Sequence, residues 1–181
     1  MRRLRNALFG LRCLQILPNG IGGSLMVTDM LHKQVQRDFV EKMRYPWWFP
    51  TVLGAWKLSQ LALDWVSGGA YIPLAQWMMA MQLGGAAFTH AVAEGKGFGP
   101  AAQGGPIMFF NTTLGIQYLY GALPWHLIVM SHLGAGVVGF ALGYVVLALG
   151  PGGASHAAAL SPVKWRGGGA AGFPKGGKKA D

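Results

Sequence analysis

From Gly97 to Val163 the chain contains no Asp, Glu, Lys or Arg. A water-soluble fold needs charge on its outer surface over a tract of that length, and an ordinary soluble domain is about 25% charged. Here the 181 residues are 12% charged and 52% hydrophobic. Hydrocarbon around the tract removes the need for surface charge, so the tract predicts helices that cross a bilayer.

Spanning a bilayer takes about 20 mostly apolar residues in a helix. Four stretches fit: Pro50 to Val66, Tyr71 to Val92, Gly105 to Leu123 and Trp125 to Leu149. The last closes on Gly150-Pro151-Gly152-Gly153, a helix stop followed by a turn. A fifth stretch, Leu8 to Leu31, contains Arg12, Pro18-Asn19-Gly20 and Asp29. It either spans with a break near Pro18 or lies along the interface. Aromatic residues mark the predicted ends, with Tyr45, Trp47, Trp48 and Phe49 before one span and Tyr71, Trp77, Tyr118, Tyr120 and Trp125 near others. Small residues at Gly84, Gly85, Gly134, Gly136, Gly139 and Gly143 predict close helix contacts.

The net charge is +9, and the bases flank the apolar blocks at Arg2 to Arg12, Lys33 to Arg44 and Lys164 to Lys179. That placement fits anchoring at an anionic membrane surface better than nucleic-acid binding, which needs a continuous basic face. If only the last four segments span, every basic residue except Lys57 falls on one side. The first 28 residues hold four arginines and no acid before Thr28, a composition like that of a mitochondrial presequence. Cys13 is the only cysteine, which excludes an internal disulfide and any paired-cysteine metal site.

Chemistry-bearing residues are sparse. Lys57 and Asp64 lie seven apart in one predicted span, on one face, about 10 Å apart along the axis. An ionisable group at that depth is costly and points to function, unless Lys57 snorkels and Asp64 sits at the interface. His90 and Glu94 are four apart, in position either to face Lys57 or Asp64 across a helix pair or to bond each other. His126 and His132 lie in the last segment, and His90 with His132 is the combination that could clamp a haem. No three- or four-ligand metal set is visible. No nucleophile–base pair or phosphate loop is visible either.

The stretch Tyr45-Pro46-Trp47-Trp48-Phe49-Pro50 through Gly54, Trp56, Lys57 and Leu58, followed by Gly85-Ala86-Ala87-Phe88-Thr89-His90, resembles the DoxX-like integral membrane family. The resemblance covers roughly Leu8 to Leu123. It implies a four-helix membrane bundle with Leu8 to Leu31 as the first span and Trp125 to Leu149 as an added fifth. Some members of that family are linked to quinone or thiol redox systems. The lack of a cysteine pair here weighs against the thiol chemistry.

The expected fold is all-α: a multi-pass transmembrane helix bundle of four to five spans with a basic, extended C-terminal tail. Residues 1–48 form a basic N-terminal region with the candidate first span at 8–31. Residues 49–150 form the bundle, and residues 151–181 a Gly/Ala/Lys-rich extended tail. The expected function is that of a non-catalytic accessory subunit of a larger respiratory or photosynthetic complex. The alternative is a DoxX-like redox-linked or quinone-associated protein using Lys57, Asp64, His90 and Glu94. A transporter ranks last, because no inverted repeat is present. No catalytic or metal-binding residue is expected. A bound lipid, quinone or pigment is left open, with His90, Glu94, His126 and His132 as candidate ligands. The expected partners are the bilayer and other membrane subunits, not nucleic acid. The expected location is the mitochondrial inner membrane, with the thylakoid membrane as close rival.

Overall fold

The computed structural model of the chain describes residues 2–28, 34–35, 37–66, 68–121 and 123–151. The tail expected at 151–181 lies outside the described residues beyond Pro151, as do residues 29–31 of the first candidate span. All regular structure among the described residues is helical: α1 (Arg2–Ile16), α2 (Gly22–Val27), α3 (Phe49–Trp65), α4 (Ile72–Phe88), α5 (Pro100–Tyr120) and α6 (Trp125–Ala148). Short π-helical turns lie at Leu17–Ile21, Arg37–Lys42 and Thr89–Ala93.

Proline sets the starts. Prolines stand in the first turn of α3, α4 and α5, and Pro124 caps α6. A proline there sacrifices no hydrogen bond, because the first turn's N–H groups have no helical acceptor. Helix α5 begins five residues ahead of the expected Gly105, because Gly99 takes an extended conformation (ψ 159°) and Pro100 can open the helix. It ends at Gly121, whose φ of 76° suits a residue without a side chain.

The first segment is helical without a break from Arg2 to Val27. Helix α1 runs through the π turn into α2 with helical backbone at both junctions, since Ile16 and Gly22 lie at φ −63° and −60°. Pro18 falls inside the π turn, whose wider loop accommodates the missing donor, and the Gly22 N–H bonds to Leu17 and Asn19 carbonyls. The resulting rod packs on α3 and α5. A Cβ on Gly54 would lie 2.7 Å from Met26 Cβ and 2.9 Å from the Gly23 carbonyl oxygen, so rod and α3 meet at backbone contact.

Helix α4 is the hub, packed by α3, α5 and α6. It buries Ile72, Ala75, Gln76, Met78, Met79, Ala80, Leu83 and Phe88. Helices α4 and α6 run parallel and touch through glycine. A side chain on Gly84 would strike the Gly136 backbone, one on Gly139 the Met81 backbone, and one on Gly143 the Phe88 ring at 2.7 Å. Gly134, by contrast, faces open space.

Helix α6 is apolar on its exposed face as well as on its buried one. Its buried residues are Ile128, His132, Ala135, Gly139, Gly143 and Leu147. Leu127, Met130, Leu133, Val137, Val138, Leu142 and Val145 are exposed. Among the described residues α6, with 24 residues and a mean hydropathy of 1.7, is the one helix that is long and apolar enough to cross a membrane by itself. Helices α3 and α4, with 17 residues each, reach about 26 Å against a hydrocarbon core of about 30 Å. Glutamines and Asp64 further lower the hydropathy of these helices.

At the end where α3 begins and α4 and α6 finish, an aromatic cap closes the bundle. Tyr45, Phe88, Ala91, Val92 and Leu147 are buried together, with Phe39, Met43, Phe49 and Phe140 against them. Tyr45 stacks on Phe49 at 4.6 Å between ring centroids.

Candidate functional site

A seam of polar side chains runs through the interface of the rod with α3 and α4. Arg12, Gln15 and Asn19 are spaced three and four apart, which puts them on one face of the rod. Gln60 and Asp64 share a face of α3, and Gln76 and Gln82 come from α4. Gln15, Asn19, Gln60, Asp64 and Gln76 are each no more than 2% exposed.

Asp64 sits at the top of the seam. Its Oδ2 accepts from Arg12 Nε at 2.9 Å, and a second guanidinium nitrogen donates to the Asp64 carbonyl oxygen. The Arg12 guanidinium lies 4.5 Å from the centre of the Trp65 ring, which in turn meets Phe9 edge-on. Gln76 Nε2 donates to Asp64 Oδ1 at 3.4 Å and to Gln15 Oε1 at 3.1 Å, while Gln15 Nε2 returns a bond to Gln76 Oε1 at 2.8 Å. One turn further, Gln82 Nε2 donates to Asn19 Oδ1 at 3.2 Å, and Asn19 Nδ2 lies 3.4 Å from Met79 Sδ. Bonds of this kind hold apolar helices in register, because sliding by one residue would orphan every partner.

Lys57 is not Asp64's partner. Its stem lies over the rod's glycine pair, with a Cβ on Gly23 falling 3.1 Å from Lys57 Cβ and one on Gly22 3.5 Å from Lys57 Nζ. Nor do His90 and Glu94 join Lys57 or Asp64. They bond each other, His90 Nδ1 to Glu94 Oε2 at 2.9 Å, and Lys96 reaches the same carboxylate oxygen. Burial pushes the Glu94 carboxyl up, but the bonds from Lys96 and His90 outweigh it and hold the group below its ordinary range. Nearby, Tyr45 Oη and Thr89 Oγ1 are 2.9 Å apart, and burial drives the Tyr45 phenol up to about 12.

The candidate cofactor ligands do not converge. His132 Nδ1 bonds to the Ile128 carbonyl at 2.9 Å, leaving Nε2 without a partner among the described residues. His126 is exposed. Phe88 lies level with Gly143, so His90 beyond it stands roughly 20 Å along the axis from His132. That separation is too great for the two to clamp one haem. Among the described residues no three His, Cys, Asp or Glu are placed to hold a metal ion.

Sequence reasoning singled out Asp64 but missed Arg12, Gln15, Asn19, Gln76 and Gln82. The signal for the rod was present in the three-and-four spacing of Arg12, Gln15 and Asn19. The partners across the seam lie about sixty residues away, and no local pattern connects them. Comparison with known protein families, curated proteins and solved structures finds no match for this chain.

Proposed function

We propose that the chain is a multi-pass membrane bundle of five helical segments that serves as a non-catalytic accessory subunit of a larger energy-transducing membrane complex. One observation carries the reading: large apolar side chains cover the outer faces, while the interior holds many polar groups among its apolar ones. Gln15, Asn19, Gln60, Asp64, Gln76, Thr113, Gln117 and His132 are buried, while Leu4, Phe9 and Leu14 of α1, Ile107 and Met108 of α5, and the leucines and valines of α6 face outward. Water would penalise that arrangement and hydrocarbon favours it. Continuous helix from Ile72 through the π turn to Ala93 supplies the length that α4 alone lacks. The accessory role rests on the seam. Arg12, Gln15, Asn19, Asp64, Gln76 and Gln82 bond one another and fasten helices together, while Gln60 Oε1 and Gln82 Oε1 have no partner among the described residues, and the apolar outer face of α6 is open, among the described residues, to lipid or to a neighbouring membrane helix. The arginine-rich start favours the mitochondrial inner membrane, with a thylakoid membrane as rival.

Alkaline extraction of membranes containing the chain tests the first half; recovery in the supernatant overturns it. Purification of the chain from its native membrane in mild detergent tests the second. The expected result is a stoichiometric larger complex, and a lone polypeptide overturns the accessory role.

A DoxX-like, redox-linked reading draws on the same seam, since a buried ion pair is unusual in a purely space-filling bundle. Substituting Arg12→Gln and Asp64→Asn and measuring electron transfer decides it, because unchanged rates end that reading.

A further inference from the structure

The π turn Arg37–Lys42 and the loop that follows Ala93 form the two walls of a cleft beside the aromatic cap. Its volume is about 530 Å³, and it is lined among the described residues by Asp38, Lys42, Met43, Ala93, Glu94 and Lys96. Each wall contributes one cation and one carboxylate to the lining. Lys42 pairs with Asp38 on the first wall, and Lys96 pairs with Glu94 on the second. The lysine side chains are 74% and 59% exposed. Each ammonium has three donors, so both keep donors for a ligand.

The walls are fixed to one another. Tyr45, which follows the first wall, bonds Thr89 through its hydroxyl at 2.9 Å, and its N–H donates to the Phe39 carbonyl at 2.8 Å. The apolar side of the cleft, Met43 and Ala93, rests on the buried cluster around Tyr45 and Phe88. A cleft held this way is formed before any ligand arrives.

The lining charges cancel. A simple anion would compete with a carboxylate already in place and leave that carboxylate unpaired. A ligand bearing both a phosphate and an ammonium exchanges two internal ion pairs for two intermolecular ones and strands no charge. We propose that this cleft binds the zwitterionic headgroup of a glycerophospholipid. The phosphate lies toward Lys42 and Lys96, the ammonium toward Asp38 and Glu94, and the glycerol over Met43 and Ala93. The lipid source rests on the membrane reading above, under which the cleft stands at headgroup level where α4 ends.

The test uses the full chain purified in a neutral detergent. Phosphatidylethanolamine, phosphatidylglycerol and the soluble glycerophosphoethanolamine are titrated separately, with bound lipid read by native mass spectrometry. Phosphatidylethanolamine is expected to bind about tenfold tighter than phosphatidylglycerol. The double variant Asp38→Asn/Glu94→Gln leaves two uncompensated lysines and should reverse that preference, while Lys42→Ala/Lys96→Ala should abolish binding of both lipids. Equal binding of the two lipids, or a preference unchanged by Asp38→Asn/Glu94→Gln, overturns the proposal. So does binding of glycerophosphoethanolamine without binding of the lipid. A chain that stays folded in plain buffer sinks the membrane reading instead, and the soluble compound then still reports on the cleft's chemistry.

Discussion

Arg12 Nε donates to Asp64 Oδ2 at 2.9 Å across 52 residues of sequence, with the Arg12 side chain 15% and the Asp64 side chain 3% exposed. The pair ties the first helix to α3 at one end of the polar seam. Removing one partner strands the other charge away from water. Asp64→Leu or Arg12→Leu should each lower stability by about 3 kcal/mol, while the double variant should recover much of the loss. A denaturant titration in detergent measures this, and additive losses in the double variant would show that the two groups act independently.

Helix α6 allows an internal comparison. Gly139→Ala places a methyl on the Met81 backbone and should cost about 2 kcal/mol or more, because backbone cannot yield as a side chain can. Gly134→Ala meets nothing within 4 Å and should gain about 0.5–1 kcal/mol from helix propensity. Thermal unfolding of the two single variants decides the matter, and similar shifts in both would contradict the packing described.

Glu94 should give the chain an acid-sensitive contribution. Its folded-state carboxyl lies below the usual 4.5, so the stabilisation is complete above that value and is lost as pH falls through the folded-state pKa. Wild type should therefore exceed Glu94→Gln in unfolding midpoint at about pH 6, and the gap should close as pH falls through the lowered folded-state pKa. A gap that stays constant across that range would rule out the ion pairs as its source.

Tyr45 makes the opposite prediction at the alkaline end. Its phenol is held neutral up to about 12 in the folded chain against an ordinary 10.0. The stabilisation is therefore whole below 10 and declines as pH rises toward 12. Tyr45→Phe should remove this alkaline loss and cost about 1 kcal/mol at neutral pH through the missing bond to Thr89. Absorbance of the phenolate during a pH titration gives the midpoint directly, and a midpoint near 10 would mean that the ring is open to solvent.

Apolar runs alone placed α3, α4 and α6 within a few residues of their observed positions and α5 within five, because uncharged apolar runs bounded by proline and glycine leave little choice of local structure. Helical periodicity put His90 beside Glu94, since residues four apart on a helix are neighbours. Glycines at 84, 136, 139 and 143 were legible as contact points for the same reason.

The partner of Asp64 was not legible. Arg12 read as an obstacle to burying the first segment. In the structure it anchors that segment to α3, because a charge is tolerated at an apolar contact when another charge meets it there. Likewise Pro18 read as a break, while a π turn absorbs it within a continuous rod. Local pattern determined which stretches are helical and where they stop. The choice of which helix faces which, and so whether a polar residue is stranded or satisfied, belonged to the tertiary structure, because hydrogen bonds and ion pairs depend on distances that chain position does not encode.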